Sequence, residues 1–252
     1  MRTRASAICL GLLVAGLLRH PALAADNAVH SFVLSRPLSA LDGAATPAPA
    51  EPAPAVGHRP RRANFEREIA SRDTRYMADW IADSGDNRNM PFAIIDKKNA
   101  RVFVFAADAR LRGASPALLG LAVGDDATPG IGDRPLSSIR PEERTTPAGR
   151  FVAALDRNLG GKEILWVDYD GAVSMHPVVS AKPEERRLQR LASPTPLDNR
   201  ISYGCINVPA KFFETVVHPA FSGTNGIVYV LPETRPVSGF FGSYEVEHTG
   251  LR

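Results

Sequence analysis

Apolar residues change rhythm along this chain, and each rhythm predicts a different element. Over residues 63–83, Phe65, Ile69, Tyr76 and Trp80 recur near a period of 3.6, with Met77 and Ile81 beside the last two. That spacing predicts a helix packed on a domain, with Gly85 and Asn87 ending it. From residue 91 the texture shortens. Phe92 to Asp96 is a compact apolar run, Lys97-Lys98-Asn99 is a turn, and Arg101 to Phe105 nearly alternates. These read as a hairpin. Further strands are predicted at Leu118 to Val123, Phe151 to Leu155, Ile164 to Tyr169, Val173 to His176 and Gly226 to Leu231. Short strands with Gly, Pro, Asp and Asn between them indicate a mainly β sandwich or barrel with a few short helices.

Two connections exceed what simple turns need. One runs from Asp125 to Arg144 and is rich in Pro, Gly and Asp. The other occupies residues 177–200. Its centre, Pro183 to Leu191, starts with proline and acids and reads as a short helix. Because it joins His176 to the segment around Cys205, it is expected to overhang that segment as a lid. No internal repeat is visible.

The N-terminal rhythm is different again. Arg2 and Arg4 precede an apolar run from Ile8 to Leu18, and Ala22-Leu23-Ala24 follows. Residues 1–24 therefore read as an export signal too short to span a bilayer comfortably. Residues 25–62 contain an Ala/Pro-rich stretch with little to bury and are expected to be a disordered tether. The division is then a helix within 63–87, a domain over 88–233 and a C-terminal tail over 234–252. No second long apolar run follows, so the expected product is soluble, and export leads to the expectation of a periplasmic location.

Charge changes the picture little. The chain has 30 Lys+Arg against 27 Asp+Glu. Arg2, Arg4 and Arg19 account for the excess, so the remainder is balanced. Composition gives no support for nucleic-acid binding.

Of the two cysteines, Cys9 lies inside the signal and Cys205 outside it. A single remaining thiol is a nucleophile, an intermolecular bridge or an inert buried residue. Ser202-Tyr203-Gly204-Cys205-Ile206-Asn207 offers suitable surroundings for the first. Gly204 permits a tight turn, and the N–H groups of Gly204 and Cys205 can face a developing oxyanion. A helix beginning after Pro209 would favour thiolate if it lay near the sulfur. Six histidines are present. His20 falls in the signal, His30 and His58 in the leader, and His248 near the C-terminus. His176 ends a predicted strand, where catalytic groups are often placed; His218 is the alternative base. A metal site using His176 and Cys205 lacks the usual local ligand spacing, so no metal is expected.

The cysteine run resembles the signature of the L,D-transpeptidase catalytic domain, whose members crosslink peptidoglycan. That signature is a histidine, a spacer, then Ser/Thr-His-Gly-Cys-apolar-Asn/Arg. Ile94 to Lys97 with Arg101 to Phe105 resembles the family's opening hairpin. Thr146-Pro147-Ala148-Gly149-Arg150-Phe151 resembles its turn and strand, and Ile227 to Val230 its closing strand. The resemblance implies an L,D-transpeptidase-like fold with Cys205 as nucleophile and His176 as general base. It also implies that Gly204, Tyr203, Ser202 and Asn207 serve the oxyanion or substrate. The substrates implied are a tetrapeptide stem as donor and an amine acceptor, with no cofactor. Tyr203 stands where the family has histidine, Pro177 follows His176 where glycine is usual, and the spacer is longer than usual. A thiol hydrolase and a non-catalytic wall-binding module are the competing readings.

Overall fold

The structure is a computed structural model that describes residues 59–247. The export signal, most of the tether, Cys9, His20, His30, His58 and His248 lie outside the described residues. Among those described, no helix is long and apolar enough to cross a membrane.

Helix α1 covers Arg72–Ser84, shorter than the apolar spacing predicts. Ser71 caps it, its Oγ accepting the Thr74 N–H at 3.1 Å. Gly85 closes it in the left-handed region. Phe65 is buried, but from an extended segment in which Asn64 bridges to Arg110. Its ring meets Phe103 and Phe105 edge-on. Ile69 is 80% exposed. Two members of the apparent helical period thus belong to a strap, not to the helix.

The sheet has the strand order β3-β2-β1-β10-β5-β6-β7-β9. Its strands are β1 (Phe92–Asp96), β2 (Arg101–Phe105), β3 (Leu111–Pro116), β5 (Gly149–Arg157), β6 (Glu163–Asp168), β7 (Val173–Pro177), β9 (Ile206–Val208) and β10 (Gly226–Val230). Beyond β3 the chain crosses to the opposite edge. Leu118 bridges to Asn207 there, and β4 (Leu119–Gly120) pairs with β8 (Arg200–Ser202). One continuous segment therefore joins both edges and nearly closes the sheet into a barrel, which leaves few unpaired edge groups.

Both faces of the central strands are covered. Ala93, Ile95, Val102, Val104, Val228 and Val230 face the inner core with Met175, Ile206 and Phe212. Phe92, Ile94, Phe103, Phe105, Ile227 and Tyr229 face outward, beneath Met77, Trp80 and Ile81 of α1. This double burial explains why β1 is uniformly apolar instead of alternating.

Six predicted strands are observed. Leu118 to Val123 contributes only the short β4, and β3, β8 and β9 were not expected. The segment 234–247, expected as tail, contains α5 (Val237–Phe241). Phe241 meets the Tyr229 ring at 6.2 Å, and Tyr244 donates to Asp83 on α1. After β9, α3 (Ala210–Phe212) continues through a π-turn at Phe213–Val217 into α4 (His218–Phe221). Phe212, Phe213, Val217 and Phe221 from this stretch join the inner core.

A buried ionic knot ties the first long loop to the barrel. Lys97 Nζ lies 3.0 Å from Asp125 and 2.9 Å from the Thr146 carbonyl, with Glu233 at 3.5 Å. Arg200 completes the knot by pairing with Glu233. Burial pushes the Asp125 carboxyl up, but hydrogen bonds from Thr234, the Glu233 N–H and Lys97 more than reverse this and hold it below its usual range.

Candidate active site

Strands β7 and β9 run parallel, with His176 opposite Asn207 and Met175 opposite Ile206. This register carries Cys205, which precedes β9, to the side of β7 that bears Ser174 and His176. The Cys205 sulfur is 3.6 Å from Ser174 Oγ and 3.7 Å from the Ala172 carbonyl oxygen. The Cys205 thiol and the His176 ring lie close enough that each favours the charged form of the other.

The other side of the imidazole is fixed as well. His176 Nδ1 lies 2.8 Å from the Pro177 carbonyl oxygen. A carbonyl only accepts, so Nδ1 must carry the hydrogen and Nε2 is left to accept from the thiol. Burial alone would raise the thiol pKa. The hydrogen bond and charge of His176, together with Ser174, outweigh it, and the net direction is down. For His176, burial pushes down, while Cys205 and the Pro177 carbonyl push up; the net direction is up despite opposition from Arg187. The pair therefore favours thiolate beside imidazolium.

The turn holding Cys205 is braced from below. Gly204 has φ +132°, and a β-carbon there would lie 2.7 Å from the Thr145 carbonyl oxygen. The Gly204 carbonyl accepts from Thr146 Oγ1 at 2.8 Å. Its N–H donates to Ser202 Oγ at 3.1 Å, and Ser202 Oγ donates to the Cys205 carbonyl at 2.6 Å. The Gly204 N–H is thus engaged inside the turn, which corrects its expected place in an oxyanion pair. Ser202 and Asn207 are 3% and 1% exposed, so both brace the backbone instead of facing solvent. Tyr203 lies beneath the guanidinium of Arg144, 4.0 Å from the ring centre. The expected helix start does not adjoin the sulfur, because β9 intervenes before α3.

Cys205, His176 and Ser174 open onto a groove of 660 Å³ whose apolar wall includes Ile164, Trp166 and Leu136. Trp166 is stacked on Tyr169 at 5.0 Å. Val178, Val179 and Ser180, the start of the long second connection, line the same groove. The rest of that connection is anchored. A turn at Pro183–Glu185 and α2 (Arg187–Leu191) are separated by left-handed Arg186, so the single expected helix is broken. Arg187 Nη1 donates to Asn207 Oδ1 at 2.7 Å. A freely swinging lid is replaced by a pinned flap. His218, the alternative base, instead faces Glu163 at 3.3 Å and does not line the groove.

Ser174, Trp166 and Arg187 were not singled out from the sequence. Ser174 has a local signal, since it lies two residues before His176 and strand geometry puts both on one face. Among the described residues, no group of three or more His, Cys, Asp or Glu side chains could hold a metal ion.

A parallel-strand junction carrying a cysteine–histidine pair over a groove defines a thiol site on a mainly β scaffold. No family model and no curated protein matches the chain. Among solved structures it is similar to the NMR structure of the catalytic domain of an L,D-transpeptidase from E. faecium. The identity is 16%, the match covers 57% of this chain and 98% of that one, and the TM-score is 0.35. It is also similar to an LD transpeptidase solved in complex with imipenem, at 15% identity over 56% of this chain and 58% of that one, with a TM-score of 0.33. Both are of the class that the cysteine run resembles.

Proposed function

We propose that the protein is an exported cysteine L,D-transpeptidase acting on peptidoglycan stem peptides, with Cys205 as nucleophile and His176 as general base. The observation that carries this reading is the Cys205–His176 pair, its tautomer fixed by the Pro177 carbonyl, opening onto a groove. The thiolate attacks the carbonyl of the third stem residue. The C–N bond to the terminal D-alanine then breaks, and imidazolium Nε2 gives its proton to the leaving amine. Neutral His176 next takes a proton from the acceptor amine as that amine attacks the thioester, and the sulfur leaves as thiolate. Ser174 stabilises the sulfur anion in both half-reactions. With the Gly204 N–H engaged, the Cys205 N–H is assigned the oxyanion. Residues 1–24 supply the export, to the periplasm.

The test is incubation with purified tetrapeptide muropeptides followed by mass spectrometry. The expected products are an acyl adduct on Cys205 and crosslinked dimers, both absent in Cys205→Ala. Tripeptide products without dimers would indicate the thiol hydrolase instead. Full crosslinking by Cys205→Ala would remove the mechanism.

A further inference from the structure

Arg187 belongs to the long connection after β7 and is the first residue of α2; its side chain is only 14% exposed. Glu185 Oε2 accepts from its Nε at 2.5 Å, and Nη1 donates to Asn207 Oδ1 at 2.7 Å. A guanidinium has donors only, so it must face the oxygen of the Asn207 amide. That turns the amide's NH₂ the other way, onto the Cys205 carbonyl at 3.2 Å. The same carbonyl accepts from Ser202 Oγ. Asn207 is also the register partner of His176 across β7 and β9. One buried amide therefore stands between the flap, the nucleophile's carbonyl and the base's strand.

We infer that Arg187 is a positioning residue, which locks the Asn207 amide and through it the Cys205 turn, so that the flap over 178–199 is a working part of the site. The inference rests on the proposed Cys205–His176 pair. Left-handed Arg186, at φ 46°, is the local break that separates the turn at Glu185 from α2 and lets Glu185 and Arg187 meet. Without Arg187, Asn207 Oδ1 would be buried without that donor, and the amide would be held only through its bond to the Cys205 carbonyl.

The cation also bears on the base. His176 is faced by Cys205 from the turn before β9, by the Pro177 carbonyl from β7 and by Arg187 from α2, while Ser174 of β7 and Lys162 and Glu163 of the β5–β6 hairpin line the same groove. Arg187 opposes protonation of His176. Its removal should therefore extend the imidazolium form to higher pH.

The experiment measures the rate of Cys205 alkylation by iodoacetamide against pH, beside kcat and KM for crosslinking, in the wild type, Arg187→Gln and Arg187→Lys. Arg187→Gln is expected to move the upper, imidazolium step to higher pH and to lower kcat about tenfold, within the range for misplaced catalytic groups. Arg187→Lys keeps the charge but not the fork. It is expected to leave that step in place and still lose kcat, and it decides the case if the glutamine variant fails to fold. Wild-type kcat in Arg187→Lys, or a profile in Arg187→Gln superimposable on the wild type, would overturn the inference. A wild-type thiol with an ordinary, unperturbed profile would instead defeat the underlying pair.

Discussion

At position 204 only glycine fits, for two independent reasons. The backbone has φ +132°, and the site of a β-carbon lies 2.7 Å from a backbone oxygen. Backbone cannot yield as a flexible side chain would. Gly204→Ala should therefore shift the turn and lower stability by about 2 kcal/mol, within the range for strained backbone positions. Because the shift displaces the thiol, alkylation of Cys205 near neutral pH should slow as well. Urea denaturation and iodoacetamide kinetics on one preparation would check both; unchanged thiol reactivity would show that the turn does not set the nucleophile. Of the two reasons for Gly204 read in the sequence, the tight turn stands and the oxyanion N–H does not. Its conformation is needed, while its N–H serves Ser202. Local motif reading reaches Cys205 and His176 because their residue types announce the chemistry. It misses Arg187 because nothing local says that a charged residue in a long polar connection will end against Asn207.

Element by element, legibility follows how local each cause is. The β1–β2 hairpin is readable because apolar runs flank a polar turn. Strand β3 is not, since Leu111 to Pro116 contains Arg, Gly and Ser and becomes a strand by pairing with β2. Strands β8 and β9 are three residues each and owe their form to β4 and β7. Helix α1 shows the reverse error: its period is real, but Phe65 reaches the same cluster from an extended strap. Ser71 sets the true start. Its Oγ accepts from the Thr74 N–H and donates to Asp96 at 2.6 Å, linking α1 to the end of β1. Ser71→Ala is expected to cost about 1–2 kcal/mol of stability, the size of a lost cap. Since α1 lies on the outer face of the sheet, the proposed crosslinking activity per folded molecule should be unchanged. A thermal melt paired with an activity assay would check this, and a loss of specific activity would tie α1 to the site.

On the scale of the whole molecule, the ends of several segments are held by one buried knot. Lys97 reads in sequence as an ordinary turn residue, yet its side chain is fully buried. Asp125 and Glu233, remote in sequence, reach it only after the barrel closes. The knot also leads to the site, because Lys97 holds the Thr146 carbonyl while Thr146 Oγ1 holds the Gly204 carbonyl. Lys97→Met removes the cation and leaves Asp125 and Glu233 buried, with Arg200 still on Glu233. Breaking such a pair typically costs about 3–5 kcal/mol. The acid response provides a second, independent readout. Asp125 has a folded pKa below its ordinary value of 3.8, so its contribution is fully present above that value and is lost as pH falls through the folded one. In Lys97→Met, Asp125 loses one of the hydrogen bonds that hold it down, its folded pKa moves back toward the ordinary value, and less stability remains to be lost in acid. Urea midpoints at pH 7 and below pH ~4 should therefore show a lower starting stability and a shallower decline in the variant than in the wild type. Parallel declines would mean that Lys97 does not set the Asp125 charge, and an unchanged midpoint at pH 7 would mean that the knot does not hold the loop.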